Sequence, residues 1–234
     1  MRQIEDLQCK GLKILQDKSL YTFTSDSVIL ANFLKIKSDE TAVEIGTGCG
    51  VISILATAKN PVKKIYAFEI NKDLASLAQE NIELNNLQDK VTVVSDKIQN
   101  SGKYLSKESV NVVFSNPPYM KASEADTARA NARHDNLLSI EELCRCAQGV
   151  LKFGGRFYVV YGAERSAELI NCLIKHNLQP KTMFFTDNGR GRVVLVVIEA
   201  VKGGKSGVKV LPNLSTNSQD GKFLEKLQTR NFIT

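Results

Sequence analysis

The sequence predicts an α/β fold: a mostly parallel, seven-stranded sheet with an antiparallel edge strand and helices on both faces. Three observations carry that expectation. Strand and helix patterns alternate from about residue 41 to 200, as they do in βαβ units. Four of the strand patterns end in a polar residue, at Glu44, Glu69, Asp96 and Asn116. A glycine-rich loop with Gly46, Gly48 and Gly50 joins the first strand to an apolar helix, and open parallel sheets bind ligands at the carboxyl ends of their strands.

The elements follow in order. In the N-terminal extension, residues 1–40, positions 12–15 read as a strand, and Val28-Ile29-Leu30-Ala31 opens a helix that Thr24 or Ser25 can cap. Residues 41–45 are the first sheet strand, and Val51 starts the helix after the glycines. The second strand, 64–69, ends in Glu69. Asn71 then caps a helix over 72–85 that puts Leu74, Leu77, Ala78 and Ile82 on one face. The third strand, 91–94, ends in Ser95-Asp96, and the fourth, 110–115, ends in Asn116-Pro117-Pro118-Tyr119. Ser139 and Glu142 spell a capping box. Residues 155–161 are the fifth strand, and Ala163, Ala167, Ile170, Leu173 and Ile174 make a helical stripe. Residues 182–185 and 192–200 close the sheet as a hairpin around Thr186-Asp187-Asn188-Gly189-Arg190-Gly191. The domain reading is therefore an extension over 1–40, a core over 41–200 and a basic tail over 201–234.

The chemistry-bearing residues sit at the strand ends. Two prolines after Asn116 can donate nothing to a sheet ladder, and each holds the residue before it extended. The result is a stiff corner with the Asn116 carboxamide and backbone carbonyls as acceptors beside Tyr119, a shape suited to a flat molecule with an exocyclic amine. In isolation a plain proline-rich turn reads the same way. Glycines allow the 46–50 loop to turn tightly and approach a ligand, with the next helix aiming N–H groups at it. The dinucleotide fingerprint needs a glycine where Val51 stands, which disfavours a dehydrogenase. Glu44 could hold a cationic group such as an ammonium, or be merely solvated. Glu69 follows Gly50 by 19 residues, near the spacing at which an acid meets ribose hydroxyls.

Composition narrows the rest. With 234 residues and 43% hydrophobic content, one well-filled domain with extensions is expected. No apolar run is long enough to span a membrane and no leader pattern is seen, so a cytoplasmic protein is expected. The five cysteines are odd in number and irregularly spaced, with Cys144 and Cys146 two apart in a helical pattern. Neither a metal site nor a disulfide framework is expected from them. Net charge is +6; from residue 201 on, six Lys/Arg against two acids give 6 − 2 = +4. Such a tail suits a polyanionic partner or a solvated end. Residues 116–138 carry Lys121, Arg129, Arg133 and His134 against Glu124, Asp126 and Asp135, formally neutral, and read as a lid over substrate. His134 is either a substrate contact or an exposed loop histidine.

Taken together these residues resemble the class I S-adenosylmethionine-dependent methyltransferases, whose fold is Rossmann-like. Glu44-x-Gly46-x-Gly48-x-Gly50 is similar to their first motif, Glu69 to their ribose-binding acid and Ser95-Asp96 to the residues near the adenine of the cofactor. Asn116-Pro117-Pro118-Tyr119 is similar to the signature of the branch that methylates planar amino or amide nitrogens. Phe23-Thr24-Ser25-Asp26-Ser27, Ala132-Arg133-His134-Asp135 and the Lys202-Gly203-Gly204-Lys205 segment running to Pro212 resemble the bacterial tRNA adenine-N6 methyltransferases. Asn213 departs from their pattern, where a second proline is expected.

The resemblance implies S-adenosyl-L-methionine as cofactor, held by Asp26, Glu44, Gly46, Thr47, Gly48, Cys49, Gly50, Glu69, Ile70, Ser95, Asp96 and Asn116. It implies Asn116, Pro117, Pro118 and Tyr119 as the catalytic corner. RNA contacts are expected from Tyr119, Lys121, Arg133, His134, Lys202, Lys205 and Lys209. The implied partner is a tRNA, methylated next to the anticodon, by a monomer without metal or membrane contact. The same corner also serves guanine N2 in ribosomal RNA and glutamine amides in proteins. A non-catalytic RNA-binding module with a degenerate pocket is disfavoured by the intact glycines and acids.

Overall fold

A computed structural model describes residues 2–20, 22–118 and 138–215. An antiparallel hairpin of β1 (Arg2–Asp6) and β2 (Lys13–Asp17) comes first. The extension thus carries two strands where one was expected. Helix α1 (Ser25–Phe33) follows, with Thr24 at its N-cap, although no side-chain oxygen caps it.

The main sheet alternates as expected: β3 (Thr41–Ile45), α2 (Val51–Lys59), β4 (Lys64–Phe68), α3 (Lys72–Leu84), β5 (Val91–Val94) and β6 (Val110–Ser115). After the segment that is not described come α4 (Ile140–Val150), β7 (Leu151–Gly162), α5 (Ser166–Lys175), β8 (Leu178–Asp187) and β9 (Val193–Lys202). The long strands lie in the order β8-β9-β7-β6-β3-β4-β5. All neighbours from β7 to β5 are parallel, and β9 runs antiparallel to both β7 and β8. The antiparallel edge expected from the 186–191 turn is this β8–β9 pair.

The sheet is wider than expected. β10 (Lys209–Val210) and β11 (Leu214–Ser215) both add to β8 in parallel. Leu211 and Leu214 are buried in the core beside them. The start of the basic tail is therefore built into the fold.

Each face of the sheet carries its own core. Alternate strand residues point to opposite faces, so Val112 and Phe114 join a cluster with α1 and α2, whereas Val113 packs with α4 and α5. Phe33 of α1 meets the rings of Tyr158 and Phe184 edge-on, at 5.6 and 5.1 Å between centroids. Local signals explain the helix ends. Asn71 Oδ1 accepts from the N–H of Asp73 at 2.9 Å, and the Ser139–Glu142 capping box is formed in both directions. The face expected for α5 is shifted. Ile174 is exposed and the buried residues are Leu169, Cys172 and Leu173. Residues Ala163–Arg165 form a 3₁₀ turn ahead of the helix, which takes Ala163 alone out of phase with the residues that follow.

Candidate active site at the carboxyl rim of the sheet

The strand order turns back between β3 and β6. From β3 the chain builds outward through β4 and β5, then crosses to β6 and β7 on the other side. Such a switch point opens a crevice at the carboxyl ends. Ile45 of β3 pairs with Ser115 of β6, and Ser115 Oγ donates to the Ile45 carbonyl at 2.8 Å. Gly46 and Asn116 are the next residues on each strand, so the glycine loop and the proline corner leave the sheet side by side, about 5 Å apart.

The loop is strapped to β4. Gly46 N and Thr47 N both donate to the Phe68 carbonyl, at 2.9 and 3.0 Å. Gly46 has φ +75°, and a Cβ there would meet no atom within 4 Å. The space in front of it is open to a ligand. Gly50 has φ +87° and caps α2, with Ala78 Cβ 3.5 Å from where its own Cβ would be. Both positions favour glycine for their left-handed backbone; at Gly50 a Cβ would make only an ordinary contact with Ala78.

The acids divide into two kinds. Glu69 lies at the end of β4, where its Oε2 accepts from Gly48 N at 2.9 Å and its Oε1 from Asn71 N at 2.9 Å. Each oxygen keeps a further lone pair, and burial raises its pKa. Glu44 differs from expectation. It is wholly buried, and its Oε2 accepts from Thr47 Oγ1 at 2.7 Å and from Ser53 Oγ. A carboxylate with no exposed surface cannot reach out to an ammonium directly. Glu44 holds the loop from behind, and burial pushes its pKa up to about 8. Cys49 is also wholly buried, its thiol pushed up to about 12 by burial and its carbonyl accepting from Asn81 Nδ2 at 2.9 Å. Thr47 and Gly50 are buried too. Of the expected loop contacts, only Gly46 and Gly48 present surface.

Beyond Glu69, Ile70 is exposed, and so is Ser95 at the end of β5. Asp96 Oδ1 accepts from Lys97 N at 2.8 Å and Asn100 Nδ2 at 2.6 Å; its Oδ2 faces Lys103 Nζ and Tyr104 Oη, both at 3.2 Å. The Asn100 hydrogen bond leads the causes that hold Asp96 down to about 2. Tyr104, missed in the sequence, is half-exposed beside it and edge-on to Phe68 at 5.8 Å. An aromatic eight residues after a strand-end acid was its only signal.

On the other side of the crevice, Asn116 is partly buried and Nδ2 donates to Ser27 Oγ of α1 at 3.1 Å. Ser27 is itself buried. The Phe23–Ser27 motif is thereby joined to the proline corner, with Asp26 one residue away and partly exposed. Pro117 is buried and Pro118 exposed. Tyr119, Lys121, Arg133 and His134 lie outside the described residues.

Of the tail lysines, Lys205 and Lys209 are exposed but Lys202 is not. Its Nζ donates to Glu108 Oε1 at 2.6 Å and to the carbonyls of Gln148 and Leu151, both at 2.8 Å. All three donors of the ammonium are used inside the protein, so Lys202 is corrected from an RNA contact to a structural anchor. Among the described residues no cluster of potential metal ligands occurs, and no helix is long and apolar enough to cross a membrane.

Comparison with known proteins agrees with this fold. The family model for the methyltransferase small domain matches residues 21–182. A Bacteroides thetaiotaomicron protein named tRNA1(Val) (adenine(37)-N6)-methyltransferase is 30% identical over 79% of this chain and 84% of its own. A Bacteroides fragilis protein of the same name is 25% identical, covering 93% of this chain and 94% of its own. Among solved structures, an Agrobacterium tumefaciens protein described as a predicted O-methyltransferase superposes with TM-score 0.68 at 18% identity, over 87% of this chain and 95% of that one. The M. jannaschii TYW2 complex with AdoMet gives TM-score 0.60 at 16% identity, over 85% and 84%. The glycine loop and proline corner share one crevice of a sheet with this fold, and the matched model spans most of it: the chain belongs to the methyltransferase small-domain family.

Proposed function

We propose that this protein is an S-adenosyl-L-methionine-dependent methyltransferase that modifies N6 of an adenine in tRNA, the adenine just 3′ of the anticodon (A37) of a valine tRNA. The observation that carries the reading is the adjacency of Gly46 and Asn116 across the β3–β6 switch point. The names of the relatives support the substrate. The open space before Gly46, the remaining lone pairs of Glu69 and exposed Ile70 fit the cofactor's methionine, ribose and adenine parts.

When bound, the cofactor supplies a methyl group on a sulfonium. The chain's own residues do the rest. An adenine amine is a poor nucleophile because its lone pair is delocalised into the ring. Asn116 Oδ1 and the Pro117 carbonyl accept its two N–H groups, which favours a pyramidal nitrogen with its lone pair aimed at the methyl. No strong base is needed: the nitrogen proton becomes acidic only as the N–C bond forms and the methyl–sulfur bond breaks, its electron pair returning to sulfur, and the proton then passes to water. Alignment of the two partners is worth roughly 7–11 kcal/mol of the barrier. The target base leaves its stack to enter the crevice, at a cost of a few kcal/mol that an anticodon loop lessens.

Transfer of tritiated methyl into unmodified tRNA transcripts, followed by nucleoside mapping, tests this. The expected product is N6-methyladenosine at position 37. N2-methylguanosine in its place, or no label in the transcript but label in a glutamine when a protein substrate is supplied instead, would replace the proposed substrate while leaving the chemistry of the corner.

A further inference from the structure

We propose that the β8–β9 hairpin is a docking rim for the RNA backbone, with Arg190 and Arg192 as its phosphate contacts. The inference rests on the reading that the substrate is RNA.

Strand register sets the height of this rim. Ser115 pairs with Val159, Val159 with Ile198, and Ile198 with Met183. Met183 is thus level with the residue before Asn116. β8 continues through four more residues to Asp187, roughly 13 Å further in the carboxyl direction. Laterally, β9 and β8 lie two and three strands from β6, about 10 and 14 Å. The hairpin is therefore a wall beside the crevice, its tip roughly 15–20 Å from Asn116. That is too far for either arginine to touch the reacting atoms. It is a fitting distance for the backbone of nucleotides flanking one held in the crevice.

The wall stands on the side of the target. Glu69 and Asp96 belong to β4 and β5, on one side of β3, and the hairpin lies on the other, beyond β6 and β7. Its base is anchored in the core by Thr186, Leu195 and Leu214, all buried. Its tip is ordered by its own chain: Asn188 Oδ1 accepts from Arg190 N at 3.0 Å and Arg192 N at 3.3 Å, and Gly189 N donates to Asp187 Oδ1 at 2.7 Å.

The charges are also available. Arg190 and Arg192 are exposed, and among the described residues neither guanidinium has an acidic partner. Arg165, after the neighbouring strand β7, is not available in this way. It holds Glu168 with two hydrogen bonds of 2.8 and 2.7 Å and stacks over Tyr161. A planar guanidinium without a carboxylate partner is suited to phosphate. Lys205 and Lys209, also exposed, lie lower along the same edge, Lys209 being level with Thr182.

The full chain carrying Arg190→Ala with Arg192→Ala tests the assignment, with unmodified tRNA transcript as the probe in filter binding over a salt series. RNA affinity is expected to fall about tenfold at moderate salt, with the log–log salt slope shallower by roughly 1–2. The loss should appear in KM for RNA, and calorimetric affinity for S-adenosylmethionine should stay within twofold. Arg190→Lys with Arg192→Lys should restore most of the slope. An unchanged slope and affinity in the double alanine variant, with wild type binding normally, would overturn the rim and leave the RNA reading standing. Wild type that binds no RNA would overturn both. A joint loss of RNA and cofactor affinity would mark a structural defect and also remove the assignment.

Discussion

Ser27 decides which end of the Asn116 carboxamide faces the crevice. With Nδ2 donated to Ser27 Oγ at 3.1 Å, the acceptor Oδ1 is the end that the proposed substrate amine would meet. Reversed, the amide would present N–H groups to N–H groups. Ser27→Ala should therefore slow single-turnover methyl transfer by roughly five- to tenfold, the worth of about one hydrogen bond. Ser27→Thr should restore it, and Asn116→Ala should abolish turnover while cofactor affinity stays within a few-fold. Turnover of Ser27→Ala at the wild-type rate would mean that the carboxamide is oriented by something else. Glu44 supports a second prediction at this scale. Its folded pKa of about 8 lies above its ordinary 4.5, so the folded state holds a proton that the unfolded state releases between those values. Stability from this group is full below pH 4.5 and is lost as pH rises toward 8, by an amount on the order of a few kcal/mol. Glu44→Gln should remove that slope. Thermal unfolding from pH 5 to 8.5 checks it, and parallel slopes for the two proteins would rule the buried carboxyl out as the cause. The strand-end positions of Asn116 and Glu69 and the turn at the glycines were legible in the sequence because strand ends and backbone freedom are local properties. The partners were not: Ser27 lies 89 residues from Asn116 and Asn81 lies 32 from Cys49, and no spacing rule reports a contact made by folding.

Among the elements, legibility followed periodicity. The strands from β3 to β7 and the caps of α3 and α4 follow from alternation and from Asn71 and Ser139 alone. The face of α5 does not, since Leu169 and Cys172, rather than Ala167 and Ile174, turn to the core. Lys202, at the end of β9, shows the same limit for charge. A lysine beside two glycines reads as a solvated cation, yet this one is buried beneath the start of β7 and the end of α4. Lys202→Met keeps the stem and removes the ammonium, leaving two carbonyls without their donor. Glu108 is largely exposed and can turn to water, so the cost comes chiefly from the carbonyls, about 2–4 kcal/mol. Urea unfolding should show that loss, while RNA affinity of the folded variant stays near wild type. A salt-dependent fall in RNA affinity with no change in stability would return Lys202 to the RNA surface.

At the scale of the whole molecule, the chain after β9 is the part that composition describes least well. Its excess of lysine suggests an appendage for a polyanion, but two-residue strands are too short to have a period, and β10 and β11 therefore leave no pattern to read. What they do is cover the outer edge of β8, which would otherwise expose a row of unpaired N–H and C=O groups. They also seat Leu211 and Leu214 in the core that contains Phe33, Tyr158 and Phe184. The two roles separate cleanly. If the segment acts only through charge, removing apolar side chains should leave stability untouched. If it is part of the sheet, Leu214→Ala should cost about 2–5 kcal/mol, the usual range for a buried leucine, and Leu211→Ala a similar amount. The β8–β9 hairpin rests on the same edge, since Leu214 pairs with Thr186 and Ser215 Oγ donates to Asp187 Oδ1 at 2.9 Å. Hydrogen exchange should therefore show the amides of β8 losing protection first in Leu214→Ala, ahead of β3 and β6 at the centre of the sheet. Equal protection of β8 in the variant and in wild type would show that the strand does not need its short neighbours, and that the chain beyond β9 is an appendage after all.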